Sequence, residues 1–347
     1  MNNKQALAFL SSQDLRAQFK EKLPHYPAFR SAQIFEWVCK GVLSFSEMDN
    51  LPVPMRKELS QSFAFPTGNP VSELRDRDGT LKLGIKLDDG ALIEAVALRD
   101  GKGRRTACLS VQAGCPLACV FCKTGSLGLK RNLSAFEISG QFLHLRAREK
   151  EISHIVIMGM GEALLNLDEL KKALVFFMDE KGINISKRRI TISTSGITEG
   201  IIDLANNGPD IRLALSLTTA RAELRQGLMP LSCRENSLPK VKEALLEYQK
   251  KRKRRITLEM VLLGGINTSA ADAKAAKEFA KGLDTVMNLI PWNPVEALQF
   301  NGIPLRVPAQ KEIFDFAAAL ENEGLKVTIR MEKGKSISGA CGQLGSI

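Results

Sequence analysis

Hydrophobic and polar positions change period twice along the chain, and the changes divide it. From Met1 to about Pro66 apolar residues recur at helical spacing, clearest in Ala32-Gln33-Ile34-Phe35-Glu36-Trp37-Val38 and Met55-Arg56-Lys57-Glu58-Leu59, until Pro66, Gly68 and Pro70 break the pattern. Alternation follows in Leu81 to Leu87 and Ala91 to Leu98, and Asp88-Asp89-Gly90 between them predicts a β-hairpin. From Thr106 on, β-rich runs near 106–112, 153–158, 188–194, 211–217, 255–263, 284–290 and 325–330 alternate with helical stretches. Six strand–helix repeats predict a parallel sheet wrapped by helices, either an open doubly wound sheet or a partial barrel. The expected organisation is a helical accessory region (1–70), a linking hairpin (71–105), an α/β core (106–335) and a short tail (336–347).

In parallel architectures ligands bind beyond the carboxyl ends of the strands. Here those ends carry Cys115, Cys119 and Cys122; Gly159-Met160-Gly161-Glu162; Ser193-Thr194-Ser195; Ser216-Leu217-Thr218; Gly264-Gly265; and Pro291-Trp292-Asn293-Pro294. Composition narrows the picture. No apolar run reaches the roughly 18 residues that span a bilayer, and the start has neither a basic flank nor a long apolar stretch, so a cytoplasmic chain with no membrane partner is expected. Seven cysteines, an odd number, suit a reducing compartment and direct attention to metal or redox spacing. The net charge of +11 favours a polyanionic partner, because Lys and Arg facing phosphates release condensed counterions.

Cys115-Pro116-Leu117-Ala118-Cys119-Val120-Phe121-Cys122 sets three thiols in the pattern C-x3-C-x2-C. A 4Fe-4S cubane needs four ligands, so three cysteines leave one iron open to the amine and carboxylate of S-adenosylmethionine (SAM). The alternatives are a zinc site completed by a fourth residue, or buried structural thiols. Zinc loops usually pair C-x2–4-C with a second, distant pair, which is absent from this sequence. After the buried run Ile155-Val156-Ile157-Met158, the glycines of Gly159-Met160-Gly161-Glu162 let backbone approach a ligand, and Glu162 can accept from an ammonium. Ser193, Ser216 and Asn293 at the same rim are equally well read as helix caps or turn formers.

Several of these segments together resemble the RlmN/Cfr family of rRNA adenine methyltransferases. They are Val111-Gln112-Ala113-Gly114-Cys115 with the cysteine loop, Arg131-Asn132-Leu133, Gly159 to Leu164, Ser193-Thr194-Ser195-Gly196, Asn288 to Pro294, and Ala340-Cys341-Gly342-Gln343-Leu344. Phe29-Arg30, Gln33 to Trp37 and Asn50-Leu51-Pro52 resemble that family's accessory domain, so the similarity covers nearly the whole chain. It implies a partial (β/α)6 radical SAM barrel with a small N-terminal helical domain and a tail over its mouth. It also implies one 4Fe-4S cluster on Cys115, Cys119 and Cys122, and SAM contacts from Gly161, Glu162, Ser193, Ser216, Leu217, Thr218 and Asn293. Cys341 becomes the methyl-carrying cysteine, Cys108 its disulfide partner and Glu94 the proton acceptor.

The implied reaction uses SAM twice. One molecule methylates Cys341, and one is cleaved to a 5′-deoxyadenosyl radical that takes hydrogen from the new methyl group. The resulting carbon radical adds to an adenine carbon that is not nucleophilic. The implied substrate is 23S rRNA, with tRNA as a second candidate, carbon 2 favoured over carbon 8, flavodoxin or ferredoxin as electron donor, and a monomeric enzyme. Thr218 stands where the family has histidine, and Ser338-Gly339 where Asp and Ala are usual. Two other classes stay open: a radical SAM enzyme acting on a protein or small molecule, and a non-catalytic metal-bound RNA-binding protein.

Glu94 has support of its own, since alternation puts it on one strand face with Leu92, Val96 and Leu98, where an unpartnered carboxylate is costly and burial raises its pKa; a glutamate at a sheet edge is the alternative. Lys250 to Arg255 forms a basic run that either grips RNA or is a solvated helix end. Cys39, Cys233, His25, His144 and His154 receive no chemical role.

Overall fold

The computed structural model describes residues 5–6, 11–65, 68–101, 103–330 and 333–345. Most of the Met1 to Leu10 start and the expected breaker Pro66 lie outside the described residues. One ten-stranded sheet organises the rest. Its strands are β1 (Asn69–Arg75), β2 (Leu81–Lys86), β3 (Leu92–Arg99), β4 (Arg105–Cys108), β5 (Ile152–Ile157), β6 (Ile190–Thr194), β7 (Arg212–Ser216), β8 (Ile256–Leu262), β9 (Thr285–Pro291) and β10 (Val327–Ile329). Each strand lies beside its predecessor in the chain. The first three pairings, β1 to β4, are antiparallel, and β4 to β10 run parallel.

The expected hairpin and all seven core strands are present within a few residues, but β1 was not expected. Its sequence, Asn-Pro-Val-Ser-Glu-Leu-Arg, carries a proline and is largely exposed, and the ladder to β2 shifts register between Pro70 and Ser72. These are marks of an edge strand, which hydrophobic patterning does not report. The expected run 106–112 is also interrupted. Gln141 takes up both backbone groups of Ser110, accepting from its N–H at 2.9 Å and donating to its carbonyl at 2.9 Å. The chain leaves the sheet there, and Gln112–Gly114 pairs with Leu129–Asn132 to bracket the cysteine loop.

Side-chain alternation decides between an open sheet and a barrel. In β6, Ile190 and Ile192 are buried against the helices while Thr191 and Ser193 face the other way. On that second face, Cys108 of β4, Val156 of β5, Ile290 of β9 and Arg330 just after β10 line one cavity. Strands four to six places apart can meet only if the sheet curls, so the structure is a partial barrel with its two edges unclosed.

Helices cover the outside: α4 (Ala135–Arg148), α5 (Leu167–Met178), α6 (Thr198–Asn207), α7 (Leu238–Arg252), α8 (Ala270–Ala280) and α9 (Gln310–Asn322). Ser134 and Glu137 form a reciprocal capping box at the start of α4, and Arg146 and Arg148 oppose the dipole at its end. Before the sheet, the chain forms helices 12–22, 30–39 and 53–62. Their buried Phe19, Ile34, Phe35 and Leu59 join the same apolar core as the barrel. Phe35 meets Phe176 of α5 edge-on at 6.2 Å between centroids. Among the described residues no helix is long and apolar enough to cross a membrane.

Candidate active site

The cysteine loop is held at both ends. Gly114 has φ +84°, and a Cβ there would lie 1.9 Å from the Gly128 carbonyl oxygen, so this crossing of the two bracket strands requires glycine. Cys115 N–H donates to Gly128 O at 2.9 Å, Val120 N–H to Leu228 O at 3.1 Å, and the Trp292 indole to Phe121 O at 2.9 Å. The loop delivers Cys115, Cys119 and Cys122 to a cavity of about 170 Å³. Burial pushes the Cys115 thiol up to about 12 and raises those of Cys119 and Cys122, with Cys122 adding to the rise at Cys119 and Cys341 to that at Cys122. Three desolvated thiols await a cationic partner.

Among the described residues no three His, Cys, Asp or Glu side chains converge on a point where one metal ion would sit. A cubane asks for spacing, with each thiol on a separate iron, and the donor set is one that iron–sulfur clusters use.

Glu162 closes the cavity from the end of β5. It is buried, its Oε2 accepts from Ser195 N–H at 2.8 Å, and its Oε1 accepts from Leu164 N–H at 3.1 Å. Burial raises its pKa, and these hydrogen bonds oppose the rise. Gly159 and Gly161 also line the cavity, but the reason they are glycines needs correcting. A Cβ on Gly159 would lie 2.6 Å from Ser110 Oγ, and one on Gly161 2.5 Å from Gln112 Cβ. Both glycines admit the segment leaving β4 as well as any ligand. Ser193 and Ser216 face each other across the floor, Oγ to Oγ 3.2 Å.

Two of the residues expected as SAM contacts lie outside the lining of this cavity. Leu217 and Thr218 are fully buried and do not line the cavity. Thr218 sits at φ +59°, donating its N–H to Glu259 O at 3.0 Å and receiving Asn267 Nδ2 on its carbonyl at 2.9 Å. It shapes the loop after β7 from behind. Asn293 is near the site, and its Nδ2 donates to Cys341 O at 2.9 Å, so it holds the tail.

The tail lies over the mouth. Lys123 N–H donates to Gly342 O at 2.8 Å, Thr124 Oγ1 to Leu344 O at 2.6 Å, and Gln343 Nε2 to Pro294 O at 2.9 Å. Cys341 is thereby placed on the walls of two cavities. One is the cysteine-loop cavity, and the other is a smaller one of about 30 Å³ that it shares with Cys108. Burial, then the nearby Cys341, pushes the Cys108 thiol up to about 12, against the pull of Arg330. The two cysteines are not bonded to each other.

Glu94, expected as the proton acceptor, lines neither of these cavities. β3 is an interior strand, so the sheet-edge alternative does not hold. Both carboxylate oxygens are occupied: Oε1 by Lys82 Nζ at 2.9 Å and Oε2 by Gly345 N–H at 2.5 Å. Lys82 Nζ reaches on to Ser338 O at 3.3 Å. The buried pair therefore fastens the tail.

Sequence reading missed Glu259, Arg225 and Arg330. Glu259 of β8 lines the cysteine-loop cavity, with burial raising its pKa. Its signal was a carboxylate inside the apolar run Ile256–Leu262. Arg225, 1 % exposed, donates to Ser195 O at 2.5 Å, to Ser216 O at 3.1 Å and to Leu217 O, tying together the loops after β6 and β7. In sequence it is one arginine of a polar helix, and nothing marks it. The basic run 250–255 is at the amino end of β8, on the rim opposite the cysteine loop. Three of its six charges hold carboxylates: Arg254 grips Asp210 at 2.7 and 2.5 Å, Arg255 pairs with Asp284 at 3.0 Å, and Lys251 with Glu247 at 3.0 Å.

Residues 109–274 match the family model of the Radical SAM superfamily. The chain is 49% identical over 318 residues to the probable dual-specificity RNA methyltransferase RlmN of Treponema denticola, covering 92% of this chain and 90% of that protein. Its counterpart from Treponema pallidum (strain Nichols) is 45% identical over 317 residues, 91% of this chain and 92% of that one. A solved radical SAM methyltransferase from Sphaerobacter thermophilus has a TM-score of 0.91 at 35% identity, covering 98% of this chain and 99% of that chain. Sequence identity and fold agree along nearly the whole length, and the chain belongs to the RlmN family within the radical SAM superfamily.

Proposed function

We propose that this radical SAM RNA methyltransferase methylates carbon 2 of an adenine in 23S rRNA, with tRNA as a second substrate, through a methyl group carried on Cys341. The observation that carries the reading is the position of Cys341, on the wall of the cysteine-loop cavity and of the cavity that holds Cys108. Cys115, Cys119 and Cys122 would hold the 4Fe-4S cluster, with Glu162, Ser193 and Ser216 nearest to SAM. Bound there, cluster and SAM supply a 5′-deoxyadenosyl radical, and SAM supplies the methyl group.

The protein's own part follows from its thiols. The Cys341 sulfur accepts the methyl group and presents it, less one hydrogen, to the adenine carbon. The adduct gives up one electron to a flavodoxin or ferredoxin and the hydrogen of the attacked carbon as a proton to solvent, so that protein and RNA are joined by a closed-shell thioether. The Cys108 thiolate attacks the Cys341 sulfur, the carbon–sulfur bond breaks toward the base, and the carbon takes a proton to become the new methyl group. A Cys108–Cys341 disulfide remains, and two electrons from an external reductant restore it. We place the reaction in the cytoplasm, with a flavodoxin or ferredoxin feeding the cluster and the enzyme acting as a monomer.

The two cysteines are predicted to fail differently when replaced. Cys341→Ala gives neither methylated protein nor methylated RNA. Cys108→Ala still attacks RNA and then stalls as a covalent adduct, visible on a denaturing gel. Equal partial losses without an adduct would overturn the reading, and mass spectrometry of the product would separate carbon 2 from carbon 8.

A further inference from the structure

The small cavity that holds Cys108 and Cys341 shares Leu98, Val156, Met158, Arg330 and Lys333 with a third and larger one. This third cavity, about 370 Å³, occupies the barrel interior toward the amino ends of β4 to β7, with Thr106, His154, Thr191 and Arg212 on its walls. Its charge is one-sided. Seven cationic side chains line it against a single carboxylate, Asp100.

Pairing distinguishes the cations that line it from one another. Arg104 holds Asp100 at 3.0 Å, and Lys333 stands 4.0 Å from Asp78. Arg188, Arg189 and Arg212 are exposed, and among the described residues their guanidinium groups have no ion pair or hydrogen bond. In the run 250–255, by contrast, Lys251, Arg254 and Arg255 each hold a carboxylate. A guanidinium left without a partner on the wall of a cavity is a fork of donors aimed at an anion, and planar bidentate donors match phosphate. The local potential is legible on His154, whose pKa is lowered first by burial and then by Arg104, Arg189 and Arg212.

We propose that Arg188, Arg189 and Arg212, with Arg330 and Lys333 deeper in, form a binding site for the phosphodiester backbone of the RNA strand whose adenine reaches Cys341. The continuity of the cavities is what selects this ligand. An anion in the basin is connected through the Arg330–Lys333 wall to the two thiols, so it must belong to a molecule that places a reactive group there as well. A nucleotide strand does so, because its phosphates and its base lie on opposite sides of the sugar. His154, held neutral, adds a planar ring without another charge, and Arg planes accept unstacked bases as well as phosphates. The strand therefore approaches through the amino-terminal end of the barrel, opposite the cysteine loop. This inference rests on the reading of the chain as an RNA methyltransferase.

The test uses the full, anaerobically reconstituted chain and an in vitro transcript of 23S rRNA, with affinity measured across a salt series. Each phosphate contact adds about 0.7 to 0.9 to the slope of log K against log salt. The triple variant Arg188→Ser/Arg189→Ser/Arg212→Ser is expected to lower that slope by about 2 and to weaken binding at low salt. The triple lysine variant at the same positions is expected to restore the slope. An unchanged slope in the serine variant, or no recovery with lysine, would overturn the proposal. So would weaker binding of an acidic flavodoxin with RNA affinity intact, which would make the basin a protein-docking surface. If the wild type methylates RNA while the slope is indifferent to these arginines, the basin fails and the functional reading stands. If the slope responds but no RNA is methylated, the basin stands and the functional reading fails.

Discussion

Lys82 Nζ lies 2.9 Å from Glu94 Oε1, and the two side chains are 4% and 0% exposed. They are diagonal cross-strand neighbours on one face, two positions out of register, since Lys82 pairs with Val96 and Glu94 with Gly84. The pair sits beneath the tail and holds it at Gly345 and Ser338.

Removing one partner leaves a buried charge alone, a loss of about 3–5 kcal/mol. Glu94→Leu and Lys82→Met are each expected to lower the unfolding free energy from a urea titration by that order. The double variant is expected to be more stable than either single one, because no uncompensated charge remains. Additive losses in the cycle would show that the pair does not act as a unit. Limited proteolysis of the single variants is expected to cut first in the freed tail.

Gly161→Ala introduces a Cβ 2.5 Å from Gln112 Cβ at a backbone φ of +98°. Steric displacement of Gln112 removes the acceptor for Glu162 N–H, now 2.9 Å from Gln112 Oε1. The expected loss is about 1–3 kcal/mol of stability, read by thermal denaturation, with weaker SAM binding in calorimetry.

Arg225→Lys keeps the charge but cannot reach the carbonyls of Ser195, Ser216 and Leu217 from one nitrogen. A buried carbonyl left without a donor costs about 1–3 kcal/mol. The variant is expected to lose at least one such increment in a denaturant titration. SAM affinity is expected to fall about tenfold, the equivalent of 1.4 kcal/mol, as Ser195 and Ser216 lose their tie.

His144 is buried on α4, and burial, then Arg148, lowers its pKa to about 4. The unfolded chain takes up this proton near 6.5, so the folded state is favoured above that pH. Its contribution is lost as the pH falls toward 4, with about 2 kcal/mol gone at pH 5. His144→Leu is expected to flatten the decline of the melting temperature between pH 7 and 5. A decline as steep as in the wild type would place the acid sensitivity elsewhere.

The parallel strands were legible because each is an apolar run bounded by breakers, and the cysteine loop because its spacing is particular to one chemistry. What patterning could not convey was direction. Glu94 was correctly placed on the buried face of its strand, yet its partner Lys82 lies on the neighbouring strand and looks like an exposed alternation position in sequence. Thr218 reads as a rim residue, but a left-handed backbone turns it away from the cavity. Arg188, Arg189 and Arg212 precede or begin strands, away from the rim where ligands are sought, and Lys250 to Arg255 drew attention as the denser run. Density of charge is a property of sequence, whereas freedom of charge depends on Asp210 and Asp284 folding up against it.

Because each strand of the sheet lies beside its predecessor, a growing polypeptide can add it strand by strand as it leaves the ribosome. The tail obeys a different clock. Its anchors span 251 residues from Glu94 to Gly345, 256 from Lys82 to Ser338 and 260 from Asp76 to Ser336. Cys341 thus arrives on a barrel that is already built. A chain cut short after Ser336 would keep its cysteine loop, its basic basin and most of its core, yet lack the sulfur that the proposed methyl transfer uses.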